Sequence, residues 1–374
     1  MRNSTTFTTI MQTAVIENEV KEIVKSTGYL DTGRKFTVYM LFQFLTIAAF
    51  GKWSGYREGV DIATSCGLPT VDRTTFSKKA SSVPFDIFKR LFHLLISKCN
   101  RKTRRKLQLP SDLLLIDSTT VTVGKERLPW ATYHGERSGV KLHVAFDATL
   151  EIPVQVRETI GTVHDGRIGE KLANFNYNLV QDRAYSKVSR FDEYSQRAQF
   201  FVTRIKNNLE LTDSIASAFE ENSNITCDIT CKLGSVNCRS KKRFRVVSFQ
   251  DINGNEIRVA TNLYGTPVEE IAEMYKARWA VESFFRWIKQ NLNVPTLFGT
   301  TQNAVYNQLF TALITYVVIK WIYESAKPLV LPCKSLSIKR FVRLLLLRDL
   351  PLEWKLALLS CLEKYQVNKI PIFG

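Results

Sequence analysis

A chain of 374 residues is too long for one ordinary core and calls for two or three structural units. Its 45% hydrophobic and 11% aromatic content excludes a disordered chain. The 52 Lys and Arg residues against 35 Asp and Glu leave a net charge of +17, which points to a polyanionic partner, with nucleic acid ahead of a ribosomal or membrane surface.

The first twenty residues lack the apolar core of a secretory signal. The apolar stretch from Val38 to Phe50 is too short for a membrane span, and that from Leu309 to Tyr323 is interrupted by Lys320, so both are expected to be buried helices. The seven cysteines are odd in number and form no disulfide framework, which suits a reducing cytoplasm. Cys227, Cys231 and Cys238 lie close together, but no further ligand completes a four-ligand set, and no zinc site is expected there.

Residues 1–106 read as helical. FTVYMLFQFLTIAAF is a buried helix, and GYREGVDIATSCG is a helix closed by Gly67. Pro84 then separates a short helix from a long one whose apolar residues Phe85, Ile87, Phe88, Leu91, Phe92, Leu95 and Ile96 share one face. The basic run Lys98 to Lys106 is either a solvated linker or a phosphate contact. The short helices between Gly55 and Lys79 have the makings of a helix-turn-helix, with Thr74, Thr75, Ser77, Lys78 and Lys79 toward DNA.

From Leu113 the pattern changes. LLLIDSTTVTV and GVKLHVAFDAT are strands, the second alternating Val140, Leu142, Val144 and Phe146 against a polar face with Lys141 and His143. IPVQVRETI continues as a hairpin, a helix follows from Asp165 (capped by the His164–Asp165 pair), and NLVQD and QFFVTRIK are two more strands separated by a short helix. The order strand-strand-strand-helix-strand-helix-strand predicts an α/β unit with a mixed sheet. Residues 207–266 are β-rich, with strands NITCDITCKLG, RFRVVSFQ and EIRVATNLY. A single long helix is predicted through VEEIAEMYKARWAVESFFRWIKQNL, and helices continue through residues 301–374.

Asp117 and Asp182 each close an apolar strand. Capping is the commoner role for such a carboxylate, but two of them on adjacent strands repel each other unless a cation lies between them. On one continuous helix, at about 100° per residue, Tyr275, Arg278, Glu282 and Lys289 fall within a stripe roughly 60° wide. That stripe is either an intrahelical salt-bridge ladder or an acid flanked by phosphate-binding groups, with Trp279, Phe284 and Phe285 buried on the other side.

The run Y-KA-R-WAV-E-SFFRWI-K from Tyr275 to Lys289, with Asp117 in IDST and Asp182 in QDRAY, resembles the DDE transposases of insertion-sequence family four. The resemblance spans most of the chain. It implies a ribonuclease H-like catalytic domain at 107–206 and 267–300, with a β-rich insertion at 207–266 between the second aspartate and the glutamate. It implies a helical N-terminal DNA-binding region at 1–106 and a helical C-terminal region at 301–374.

Asp117, Asp182 and Glu282 are then the expected metal ligands, for Mg²⁺ with Mn²⁺ able to substitute. Tyr275, Arg278 and Lys289 are expected on DNA phosphates, and Arg183, Arg204 and Lys206 are further DNA-contact candidates. The partner implied is double-stranded DNA, both element ends and target, bound by a homodimer. The competing expectation is a non-catalytic DNA-binding protein derived from a transposase. Tyr264 and Phe249 are conceivable stacking surfaces for a displaced base, although core packing is the commoner role for such residues.

Overall fold

A computed structural model describes residues 7–103, 113–217 and 224–368. Six helices come first: α1 (Phe7–Ala14), α2 (Glu17–Ser26), α3 (Val38–Gly51), α4 (Tyr56–Ala63), α5 (Arg73–Ser82) and α6 (Phe85–Thr103). The strands β1 (Leu113–Gly124), β2 (Arg137–Asp147) and β3 (Ile152–Ile160) follow. Next come α7 (Asp165–Leu172), β4 (Asn178–Gln181), α8 (Val188–Gln196) and β5 (Phe201–Arg204). The β-rich segment supplies β6 (Leu211–Ala216), β7 (Ile225–Leu233), β8 (Phe244–Gln250) and β9 (Glu256–Thr261). The chain then continues through α9 (Val268–Lys276), α10 (Trp279–Asn291), α11 (Gln302–Ala326), α12 (Ile338–Leu346) and α13 (Leu352–Asn368).

All nine strands belong to one sheet in the order β3-β2-β1-β4-β5-β9-β8-β7-β6. β1 pairs in parallel with β4, and β4 in parallel with β5, while the hairpin β1-β2-β3 is antiparallel. The β-rich segment is not a separate sheet, because β9 pairs antiparallel with β5 and carries the same sheet outward into β8, β7 and β6. β6 has no counterpart in the sequence reading. Its residues LTDSIA do not alternate cleanly, and as an edge strand it is largely exposed.

The two faces of the sheet are covered differently. Leu115, Val121, Val144 and Val180 join one large core with the N-terminal helices, α10 and α11. Leu114, Ile116, Ala145 and Leu179 pack on the opposite face with residues of α7 and α8, among them Leu172 and Phe191. The alternation read along β2 is therefore correct, but its second face is covered by α7 and does not meet solvent. Lys141 and His143 are accordingly buried.

α11 is the structural axle of the helical side. At 25 residues, continued by a 3-10 turn, it is the one described helix long and apolar enough to cross a membrane, yet 89% of its apolar window is buried inside the protein. The interrupting Lys320 forms ion pairs with Glu151 and Glu324. Polar side chains of α11 tie neighbouring segments to it. Asn307 donates to the carbonyls of Ala80 (3.2 Å) and Val83 (2.9 Å) at the α5–α6 break, and Gln308 holds Thr296 and Phe298. Asn307→Ala leaves two buried carbonyls without a donor. It is expected to lower stability by about 2 kcal/mol, seen as a lower urea midpoint at unchanged cooperativity.

The long amphipathic helix after Pro84 is α6, and its expected face, from Ile87 to Ile96, is buried. The basic run is only partly described. Lys98 donates to the Ala14 carbonyl and forms an ion pair with Glu19, so it is no phosphate contact; residues 104–106 lie outside the described residues.

Candidate active site

The register of β1 and β4 creates the site. Their parallel pairing runs from Leu113↔Asn178 to Ile116↔Gln181, so Asp117 and Asp182 are the next residues on each strand, side by side. β4 ends there and Asp182 opens a 3-10 turn, whereas β1 continues seven residues beyond Asp117 to Gly124. Asp117 is thus a mid-strand residue, not the end of its strand. With period-two alternation, Asp117 shares a face with Leu115, and Asp182 with Val180, both on the side covered by α10.

The third acid arrives on α10. Val281, Phe284, Phe285 and Ile288 bury one side of that helix, and the Phe284 ring lies 5.1 Å from that of Phe146 on β2 and 4.7 Å from that of Tyr316 on α11. Glu282 is thereby held over β1. The predicted single long helix is in fact two. The Arg278 N–H bonds to the Tyr275 carbonyl (3.1 Å) and the Ala280 N–H to that of Ala277 (2.9 Å), three-residue spacings that overwind the chain between α9 and α10. Tyr275 and Glu282 consequently sit on different helices, Tyr275 reaching Asp182 and Glu282 pairing with Arg278. Trp279, expected to be buried, is 58% exposed.

The polar contacts converge on Arg278. Its guanidinium is 2.6 Å from Glu282 and 3.7 Å from Asp117, and it lies 5.7 Å from the Tyr275 ring centre. The Tyr275 hydroxyl donates to Asp182 Oδ1 at 3.2 Å, and the Ser118 N–H donates to Asp117 Oδ1 at 2.8 Å. Burial pushes the Asp117 carboxyl up to about 6; the Ser118 N–H and Arg278 oppose this, and the charges of Asp182 and Glu282 add to it. Burial and the Asp182 carboxylate push the Tyr275 phenol up to about 12, so it stays a hydrogen-bond donor at neutral pH. Lys289, two turns beyond Glu282, is half-buried, and burial alone lowers its pKa.

A buried cluster backs this site on the other face of the sheet. His143 is paired across the strands with Ser118, and Asp165 accepts from the Ser118 hydroxyl (2.9 Å) and the Lys141 ammonium (3.0 Å) and lies 3.4 Å from His143. His164 caps α7, its Nδ1 accepting from the Gly166 N–H, while Asp165 turns inward to the cluster. Lys141 and His143, on the polar face that the alternation along β2 predicts, are covered by α7.

The three carboxylates are hard oxygen donors, and the charges of Asp182 and Glu282 both bear on the buried Asp117. That suits a divalent cation at Asp117, Asp182 and Glu282. In this arrangement Arg278 supplies the positive charge, and among the described residues no three acidic, His or Cys side chains are drawn together tightly enough to chelate a metal. Arg278, 3.7 Å from Asp117 and 2.6 Å from Glu282, neutralises the acids in this arrangement.

The outer cations are distributed unevenly. Arg183 is exposed beside Asp182, and Lys206 is exposed beyond β5. Arg204, at the end of β5, is close enough to Tyr275 to favour its ionised form. Phe249 is fully buried, with its ring 6.2 Å from that of Tyr275, and is a core residue. Tyr264 is half exposed and donates to the Arg243 carbonyl. Lys79 is not free for DNA, because it is ion-paired with Asp31 and stands over the Tyr29 ring.

A mixed ribonuclease H-like sheet with acids on two adjacent strands and on the helix that covers them is the arrangement expected of a nucleic-acid-processing enzyme of the DDE class. Residues 108–318 match the family model for the transposase DDE domain. The chain is 50% identical over 367 residues to a probable transposase for insertion sequence element IS5377 from Geobacillus stearothermophilus, covering 98% of this chain and 97% of the relative. A putative transposase for insertion sequence element IS4SA from Synechocystis is 27% identical over 67% of this chain and 72% of its own length. In fold, the chain is similar to the piggyBac transposase, solved as a synaptic complex with hairpin DNA, with a TM-score of 0.50, 14% identity, and coverage of 100% of this chain and 86% of that one. The chain belongs to the DDE transposase family.

Proposed function

We propose that this transposase binds the terminal repeats of its own insertion sequence, hydrolyses the phosphodiester at each end, and transfers the freed 3′ hydroxyl to target DNA. The observation that carries the reading is the register that sets Asp117 beside Asp182 on one face, with Glu282 brought over them by α10. These three residues would hold a pair of divalent cations, Mg²⁺ with Mn²⁺ able to substitute, which would supply Lewis-acid activation of the attacking water and of the leaving 3′ oxygen.

The protein's own groups do the positioning. Tyr275 orients Asp182 through its hydrogen bond. Arg278 and Lys289 take the phosphates beside the scissile bond. Arg183, Arg204 and Lys206 hold the flanking backbone. We place second-strand cleavage on a hairpin route and the active assembly as a homodimer on paired ends. The fold neighbour was captured in a synaptic complex with hairpin DNA, which supports the hairpin route.

Mn²⁺ titrated into the DNA-bound protein and followed by paramagnetic resonance tests the metal assignment. The wild type is expected to bind saturably, and Asp117→Asn and Asp182→Asn each to lose the tight sites. Equal Mn²⁺ binding by the wild type and both variants would overturn the three-carboxylate site.

A further inference from the structure

A second polar cleft lies away from the carboxylates. It has a volume of about 560 Å³ and opens between the start of α4, the first two turns of α5, and Phe298 in the segment following α10. Arg57, Arg73 and Lys78 line it with Ser77. All three cations are exposed, and none is ion-paired among the described residues. The neighbouring acids are committed to helix starts. Glu58 accepts from the Ser54 N–H (2.6 Å) and hydroxyl (2.7 Å), and Asp72 accepts from the Thr74 N–H (2.7 Å).

The cleft wall has a further unmet polar group. Tyr56 is 8% exposed, its ring 5.5 Å from that of Phe298, and its buried hydroxyl has no hydrogen-bond partner. Unpaired guanidinium and ammonium donors gathered at one concave surface recognise a phosphate oxygen.

We propose that this cleft seats a backbone phosphate of the element-end duplex, distant from the phosphate being cut. The inference rests on the transposase reading above and adds a second anchor to it. The cleft is built jointly by the N-terminal helices and the segment that leaves the Glu282-bearing helix. A duplex gripped there is therefore positioned directly against the catalytic unit. Of the side chains suggested by the helix-turn-helix pattern, Thr74, Ser77 and Lys78 line the cleft. Lys79 is withdrawn into its pair with Asp31, and Arg57 and Arg73 are additions that the pattern did not single out.

The test is fluorescence anisotropy of a labelled terminal-repeat duplex, without metal, across a salt series. It compares the wild type, Arg73→Gln/Lys78→Gln, Arg57→Gln, and a control, Lys21→Gln/Lys334→Gln, that removes two exposed charges elsewhere. The cleft variants are expected to bind about tenfold more weakly, with a salt slope shallower by about one, and the control to keep the wild-type slope. Circular dichroism confirms folding, and Arg57→Gln gives an independent reading if the double variant is unfolded. Cleft variants that track the control would overturn the proposal. So would a cleft that binds inorganic phosphate, seen as a wild-type melting shift absent in the variants, while the duplex salt slope stays unchanged. Because no metal or cleavage is involved, loss of the catalytic reading leaves this result legible, and the reverse also holds.

Discussion

Asp117→Asn is expected to abolish strand cleavage, by on the order of a thousandfold or more, while making the metal-free protein more stable at pH 7. The reason is that Asp117 ionises at a cost: burial and two neighbouring carboxylates raise its pKa from an ordinary 3.8 to about 6. The folded state therefore holds this proton more tightly than the unfolded chain. The stability attached to the group is fully present below about pH 4 and is lost as the pH rises through about 6.

At neutral pH the penalty is up to about 3 kcal/mol, from a shift of roughly two units, and Asn removes it while still accepting from the Ser118 N–H. Unfolding midpoints between pH 4 and 8 test this. The wild type should weaken across that range relative to Asp117→Asn, and Mg²⁺ should restore the wild type alone. A variant that is less stable than the wild type at pH 7 in metal-free buffer would contradict this penalty.

The second large effect is structural. Arg245 on β8 holds Asp228 on β7 through two hydrogen bonds of 2.9 and 2.7 Å, both residues being buried. Its remaining nitrogen donates to the carbonyls of Leu263 (3.2 Å) and Thr266 (2.5 Å), which lead directly into α9 and Tyr275. Arg245→Met leaves a buried carboxylate and these carbonyls unpaired and is expected to cost about 3–5 kcal/mol. Adding Asp228→Leu removes the stranded charge and should recover part of that loss, so the pair of variants separates charge burial from lost carbonyl contacts. Urea unfolding of the two proteins measures the difference. Equal midpoints for Arg245→Met and the wild type would show that the network contributes nothing.

The placement of the acidic residues was more legible in the sequence than the packing around them. Asp117 and Asp182 could be paired because each follows an apolar run on strands of one mixed sheet, and the parallel register of β1 and β4 sets the two run-ends side by side. Glu282 was singled out by the resemblance of the run from Tyr275 to Lys289 to the family's signature. Three features escaped for physical reasons. The overwound junction at residues 277–279 has no proline or glycine to announce it, so one long helix was the natural expectation. Lys141 and His143 look solvated along β2, but α7 covers that face, and burial by a helix from elsewhere in the chain leaves no mark on a strand's own alternation. Trp279 looks like a core residue by type, yet the junction turns it outward beside Arg278. The extension of the sheet through β9 was likewise hidden, because a strand's pairing partner is not encoded in its own residues.

Cleavage of a labelled duplex carrying the terminal repeats that flank this coding region, with and without Mg²⁺, tests the central claim most directly when Glu282→Gln is run beside the wild type. The account predicts metal-dependent cutting at the element boundary by the wild type, and binding without cutting by Glu282→Gln. Tight binding with no cutting by either protein, in Mg²⁺ or Mn²⁺, or undiminished cutting by the variant, would contradict it.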